Sequence, residues 1–171
     1  MTAQLSVMTA DTLLLSLAAQ QRRIVGILDG LSDDALRRPV LPSGWSCVGM
    51  VSHLTVGTRF WFVEVMTGVR TGPAVEDDFH VPASVPAASI LDTYRQEGTE
   101  AIAAVRELPL DSPPAWWPEG MFGDWRMDNF LEVLQHVLVE TACHAGHLDA
   151  ARELIDGRTW DWEHGRLADP R

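Results

Sequence analysis

The sequence has no lysine and few cysteines, and both shortages exclude kinds of chemistry. All 13 basic residues of the 171-residue chain are arginine, so neither Schiff-base catalysis nor phosphate binding by a P-loop lysine is available. The only cysteines, Cys47 and Cys143, are too few for a disulfide framework and lack the spacing of a zinc ribbon or redox pair. We expect both to be small buried residues and the protein to be cytoplasmic, where thiols stay reduced.

Positive charge and long apolar runs are also scarce. The 13 arginines stand against 24 acidic residues, which gives a formal net charge of -11. Such a surface repels the phosphate backbone of nucleic acids, so we expect no nucleic-acid partner. The N-terminus lacks a basic region followed by an apolar one, and no run reaches the ~18 apolar residues of a membrane span. We therefore predict a soluble protein with no membrane partner.

Hydrophobic periodicity indicates four long helices and no good strand. The predicted helices run from a cap at Thr9 or Asp11 to about Gly30, from an N-cap at Ser46 to Gly68, from Ser89 to Leu108, and from Met127 to Ile155, with Gly157 after the last. A short helical turn is predicted within residues 32–38, a crossover loop over 69–86 and a polar tail over 158–171. These elements predict an all-α fold: one domain over residues 1–171, a four-helix bundle with a long crossover connection.

One face of the fourth predicted helix carries three histidines and a glutamate. His136, Glu140, His144 and His147 follow at steps of four, four and three residues, so their side chains stack along one face. A solvated polar face would explain this spacing, but the rest of the helix is apolar around nearly its whole circumference. Some of these polar groups must therefore face the interior, where a charge needs a partner or a metal.

His53 on the second predicted helix is a candidate partner for this row. It interrupts an apolar run over residues 48–56, and its own helix offers no nearby carboxylate to hydrogen-bond it. Taken alone, such a histidine is more often a satisfied core residue. Together with Glu140 and His144 on a facing helix, it would provide two imidazoles and one carboxylate. That set leaves a coordination position open, as catalytic zinc and non-haem iron sites require.

Two segments of the sequence resemble the DinB-like superfamily, which includes mycothiol-dependent maleylpyruvate isomerase and bacillithiol transferases. The residues that carry the resemblance are Gly44, Trp45 and Ser46 with Met50 to Leu54, and the run His136 to Asp149 followed by Arg152 to Gly157. The second run is most similar to an actinobacterial branch. The resemblance implies a four-helix bundle and a divalent metal, zinc first and nickel second, held by His53, Glu140 and His144. Many members have histidine in place of Glu140, and a glutamate there is similar to the mycothiol-dependent isomerase.

The resemblance further implies a small-molecule thiol, mycothiol, as cosubstrate. A thiol at the open position would lose its proton, because the metal stabilises thiolate, and would attack a small electrophile. We therefore predict thiol transfer or thiol-assisted isomerisation. His147, one turn beyond His144, is the candidate catalytic residue, either orienting that ligand or transferring a proton. Arg59, about two turns beyond His53, is the candidate anion-binding residue for the cosubstrate.

Two other functions stay open at this point. One is a bundle that keeps the metal but acts without catalysis, as a binding or stress-response module, for example as a homodimer. The other is a thiol-independent metal hydrolase with water at the open position and His147 as its base. If substitution of Glu140 removes a thiol-dependent activity, the protein is an enzyme and not a non-catalytic module. Turnover without any thiol would identify the metal hydrolase.

Two further groups of residues have structural interpretations. The aromatic cluster either roofs the metal pocket or plugs the open end of the bundle, and we expect the plug. Its members are Trp116, Trp117, Phe122 and Trp125. Arg152 is spaced to pair with Asp149 or Asp156, which predicts an ordinary helix-surface ion pair.

Overall fold

Five helices and one small hairpin form the structure, a computed structural model that describes residues 3–72 and 76–170, with only the backbone for residues 3–6. The elements are α1 (Ala3–Leu28), α2 (Asp33–Arg37), α3 (Cys47–Arg59) with a π-helical segment (Phe60–Val65), α4 (Ala87–Val105), α5 (Phe130–Asp156), β1 (Thr159–Asp161) and β2 (Arg166–Ala168). The predicted all-α fold is confirmed, with α2 as the predicted short turn. Residues 1–2, residues 73–75 of the predicted crossover and residue 171 of the predicted tail lie outside the described residues.

The four long helices enclose the core. α1 packs mainly against α5, α3 packs mainly against α4, and α3 also contacts α5. Phe62, Phe130 and Leu134 are fully buried in one half of the core, and Ile24 and Leu148 in the other. Each such side chain stabilises the fold by roughly 1.5–3 kcal/mol because folding removes its apolar surface from water. Within the described ranges, none of the helices combines the length and apolar character that crossing a membrane demands.

The α3 helix begins where the sequence predicts but changes its hydrogen bonding further along. The Ser46 hydroxyl caps the helix by accepting a hydrogen bond from the Gly49 N–H at 3.1 Å. From Phe60 onward the backbone widens into the π-helical segment, so that the Met66 N–H donates to the Trp61 carbonyl. Such widened turns rotate the following side chains relative to an ideal α-helix and are frequent at functional sites.

Three other helices begin at residues that differ from the prediction. The first helix starts at Ala3, before the predicted caps, and α5 starts at Phe130 rather than Met127. The Ala87 N–H at the start of α4 donates to Asp33 Oδ1 of α2 at 2.8 Å, so this helix begins before the predicted Ser89. At the end of α5, Gly157 adopts the predicted left-handed conformation with φ of 81°.

The tail contains a strand pair that the sequence did not indicate. β1 and β2 form an antiparallel hairpin in which Trp160 lies opposite Leu167. The Trp160 N–H donates to Asp149 at 2.7 Å, and the Trp160 ring packs over Gly26 of α1, where a Cβ would come within 2.5 Å of it. The hairpin is therefore fixed to the bundle by residues of α1 and α5.

Two predictions about individual side chains are wrong. Arg152 is 1% exposed rather than on the surface, because its guanidinium donates to the carbonyls of Ile27 and Asp29 as well as pairing with Asp156. It joins the end of α1 to α5. Cys143 is exposed, since it lies on the outer face of α5, whereas Cys47 is buried as predicted.

Candidate metal centre

His53 of α3 meets Glu140 and His144 of α5 in one cluster. His53 Nε2 lies 3.4 Å from Glu140 Oε1, and His144 Nε2 lies 3.0 Å from the same oxygen. One ligand atom from each residue can be chosen so that all three lie within 4.8 Å of one another. The two α5 residues share a face because they are one turn apart, and the contact between α3 and α5 brings His53 opposite them. The structure thus assembles the three residues predicted as ligands.

The second nitrogen of His53 is held by a residue that the sequence analysis missed. Asp78, in the loop between α3 and α4, lies with Oδ2 2.9 Å from His53 Nδ1. A carboxylate only accepts hydrogen bonds, so an imidazole proton on Nδ1 would donate to Asp78 and leave the Nε2 lone pair for a metal. The loop is polar and carries no helical or strand spacing, so nothing in the sequence connects it with His53.

The same loop approaches α3 closely at a glycine. The Phe79 ring stacks on His53 with ring centroids 4.4 Å apart. The Phe79 carbonyl lies directly over Gly49, where any Cβ would collide with it. Gly49 therefore permits the approach that sets Asp78 and Phe79 against His53.

The pKa values of His144 and Glu140 both shift toward the protonation states that bind metals. Burial lowers the pKa of His144 below its ordinary value, although Glu140 acts in the opposite direction. For Glu140, burial alone would raise the pKa, but the hydrogen bond to His144 and the other histidines bring it below its ordinary value. The pair is therefore a neutral imidazole and a carboxylate near neutral pH.

The donor set fits a divalent metal ion. When the His53 proton is on Nδ1 beside Asp78, the Nε2 lone pair faces Glu140 Oε1, and His144 Nε2 does the same when its own proton is on Nδ1 beside His147. Such a convergence is repulsive unless a cation or proton lies between the atoms. An ion bound at about 2.1 Å to nitrogen and oxygen ligands needs those ligands roughly 3–4 Å apart, and the separations of 3.0 and 3.4 Å match this requirement. Two imidazoles and one carboxylate suit zinc and other first-row metals.

The other two predicted site residues lie around the cluster rather than within it. His147 is exposed, and its Nδ1 lies 3.2 Å from Nδ1 of His144, on the side of that ring away from Glu140. Arg59 pairs with Glu97 of α4 at 2.9 Å. An anion-binding role for Arg59 therefore requires exchange of this ion pair, whereas His147 is placed to orient His144.

Aromatic rings lie one turn away from the cluster. The His136 ring packs against Trp61 of the π-helical segment and Trp125, with centroid distances of 4.9 and 5.6 Å. Trp116, Trp117 and Phe122 pack against one half of the core, as expected for a plug. Trp125 extends this cluster to the edge of the site, so His136 joins the aromatic cluster and not the three candidate ligands.

Comparison with known proteins identifies a family for the chain. A sequence model of the mycothiol S-transferase family matches residues 12–157. This range contains His53, Glu140 and His144, together with the loop that carries Asp78. No curated protein and no solved structure matches the chain.

Proposed function

Because this chain belongs to the mycothiol S-transferase family, within the DinB-like superfamily, we propose that it is a metal-dependent enzyme that joins mycothiol to a small electrophile. The observation that carries the proposal is the convergence of three ligand atoms, from His53, Glu140 and His144, within 4.8 Å. Zinc is the metal we expect first and nickel second. The bound thiol and the electrophile are the small-molecule partners.

Each residue of the centre has a defined task in this proposal. His53, Glu140 and His144 would hold the metal, which when bound supplies the positive charge that favours the thiolate form of a thiol. Asp78 keeps the proton of His53 on Nδ1, so that Nε2 stays a donor to the metal. His147 orients the His144 ring through their Nδ1 contact. Its exposure also leaves it able to pass a proton to solvent.

Glu140→Gln tests the proposal, because the amide keeps the shape but removes the charge. The matched control is Glu153→Gln, which changes an exposed residue of the same helix. We expect the wild type and the control to conjugate mycothiol with a chromogenic aryl halide. Glu140→Gln should lose at least about 100-fold in kcat/KM and most of its metal.

Three results would contradict the proposal. Full activity in Glu140→Gln would show that the carboxylate holds no catalytic metal. Turnover without any thiol would identify a metal hydrolase. Bound metal with no turnover of any electrophile would indicate a binding or stress-response module. Mass balance separates transfer from isomerisation, because a transferase consumes mycothiol and an isomerase returns it unchanged.

Location and assembly complete the proposal. Both cysteines are free thiols, and we place the protein in the cytoplasm, where such thiols stay reduced. A homodimer remains a prediction, which sedimentation velocity on the purified protein tests.

A further inference from the structure

A small cavity of about 60 Å³ lies beside the metal centre, between α3 and α5. Its two long walls are rows of residues one turn apart, with His53, Gly57 and Trp61 on one side and Glu140 and His136 on the other. A cavity of this volume takes a compact group of a few heavy atoms. The cavity therefore accommodates the reacting end of a molecule rather than a whole large one.

Gly57 keeps this cavity open. A Cβ added at Gly57 would have no atom within 4 Å, and the residue has ordinary helical φ rather than a positive one. Neither packing nor backbone conformation therefore requires glycine, which destabilises a helix interior by up to about 1 kcal/mol relative to alanine. The missing side chain leaves room one turn beyond His53.

Thr58 gives the cavity a hydrogen-bond donor that has no partner among the described residues. Thr58 is 5% exposed and lines the cavity. Two other buried threonines nearby satisfy their hydroxyls internally: Thr55 donates to the Val51 carbonyl at 2.8 Å and Thr141 to the Val137 carbonyl at 2.7 Å. No such bond forms at Thr58 within residues 3–72 and 76–170. The Thr58 hydroxyl is accessible from the cavity rather than fully enclosed, so it can donate to a ligand that brings an acceptor.

Aromatic rings favour a flat ligand at the far end of the cavity. Trp61 is 8% exposed, and its ring meets the His136 ring at 74° with centroids 4.9 Å apart. Flat π-systems stack well on such rings, whereas tetrahedral groups make fewer contacts with them. The remaining lining residues are the apolar Leu54 and Val137 and Thr141, whose hydroxyl is already bonded to the Val137 carbonyl.

We propose that this cavity binds the reacting end of an α,β-unsaturated carbonyl compound, with its carbonyl oxygen accepting a hydrogen bond from Thr58. The inference rests on the proposed function, because the cavity adjoins the centre where the thiol would bind. Among compact electrophiles, an enone is flat, apolar and carries one acceptor, and all three properties match the cavity. An alkyl halide of the same size lacks the acceptor.

The reaction is an addition in which nothing leaves. The thiolate sulfur forms a bond to the β-carbon, and the π electrons of the C=C bond shift through the α-carbon onto the carbonyl oxygen. Thr58 donates to this oxygen as it becomes negative. The α-carbon then takes up one proton, which replaces the proton lost by the thiol, so the product is the thioether of the saturated ketone.

Two substrates of equal length test the assignment of Thr58. We would measure kcat/KM with mycothiol for 3-penten-2-one and for crotyl chloride, which lacks the carbonyl. The assays use a Cys143→Ser background, because that exposed thiol would itself be alkylated. Thr58→Val should lower kcat/KM for the ketone about 10- to 100-fold and leave the chloride within about twofold. Thr55→Val, a buried threonine on the same helix, is the matched control and should affect both substrates equally.

A binding experiment separates failure of this inference from failure of the proposed function. Saturation-transfer NMR with the unreactive ketone 2-pentanone should show binding to the wild type and to Gly146→Leu, an exposed glycine of α5 with no atom near its Cβ position. Gly57→Leu, which fills the cavity, should abolish the signal, and Thr58→Val should weaken it.

The outcomes are distinct for the two proposals. Ketone binding that depends on Gly57 and Thr58 in an inactive protein would support the cavity and overturn the transferase. An active enzyme in which Thr58→Val reduces both substrates equally, or in which Gly57→Leu still binds 2-pentanone, would overturn the inference and leave the transferase standing.

Discussion

Asp78→Asn should weaken metal binding although Asp78 is not a ligand. The carboxylate lies 2.9 Å from His53 Nδ1 and is 27% exposed, so solvent only partly screens it. An asparagine in its place can donate its own N–H to Nδ1, which moves the imidazole proton to Nε2, the atom that faces Glu140. Even with the amide oxygen turned inward, the negative charge that increases the basicity of His53 is lost.

Removal of such partners typically lowers metal affinity 10–100-fold, which corresponds to about 1.4–2.7 kcal/mol. Because solvent partly screens Asp78, we expect a loss of zinc affinity at the lower end of this range, about 10- to 30-fold. The assay is competition for zinc against a chromogenic chelator at neutral pH. Urea denaturation in the presence of chelator should show little change, because the hydrogen bond is at the surface of the bundle.

Asp77→Asn is the matched control for this experiment. It removes the same charge one residue earlier, and its side-chain oxygen can still accept the hydrogen bond from the Phe79 N–H. We expect zinc affinity within about twofold of the wild type. Equal weakening in both variants would mean that general charge, and not the contact with His53, sets the affinity. Unchanged affinity in Asp78→Asn would refute the reasoning altogether.

Three further predictions concern the loop, the core and pH. Gly49→Ala should lower both zinc affinity and the urea midpoint, despite alanine's better helix propensity, because its Cβ collides with the Phe79 carbonyl. Arg152→Leu should lower the free energy of unfolding by about 3–5 kcal/mol in urea titrations, whereas the exposed Arg22→Leu should change it by less than about 0.5 kcal/mol. Burial lowers the pKa of His136 in the folded protein. As the pH falls, the unfolded chain therefore takes up a proton before the folded protein does. The free energy of unfolding should decrease below about pH 6.5 for this reason. In metal-free protein, His136→Phe should make the free energy of unfolding less dependent on pH in this range. An unchanged pH dependence would show that His136 is not the cause.

The sequence predicted the parts of the fold that depend on interactions within a single helix. The hydroxyl cap at Ser46 and the left-handed Gly157 act within a few residues of their own helix, so their positions could be read from the sequence. Glu140 and His144 share a face for the same reason. The start of α4 was missed because its cap, Asp33, belongs to another helix.

The parts of the site that the sequence did not reveal depend on contacts between distant segments. Asp78 and Phe79 reach His53 only through the path of a loop without periodicity. The partner of Arg59, Glu97, lies on another helix, and neither residue's spacing shows the pairing. Arg152 has surface-like spacing with Asp156, yet the end of α1 covers it. Periodicity alone left His53 as a core histidine, its combination with Glu140 and His144 made it a candidate ligand, and the family resemblance then implied that role.

The most direct test of the central claim is elemental analysis of protein purified without a metal-affinity tag. Wild type, His53→Ala and His80→Ala would be compared, the last being an exposed histidine of the loop before α4. The account predicts stoichiometric divalent metal in the wild type and in His80→Ala, and its loss in a folded His53→Ala. Metal absent from all three proteins after supplementation, or retained in His53→Ala, would contradict a metal centre formed by His53, Glu140 and His144.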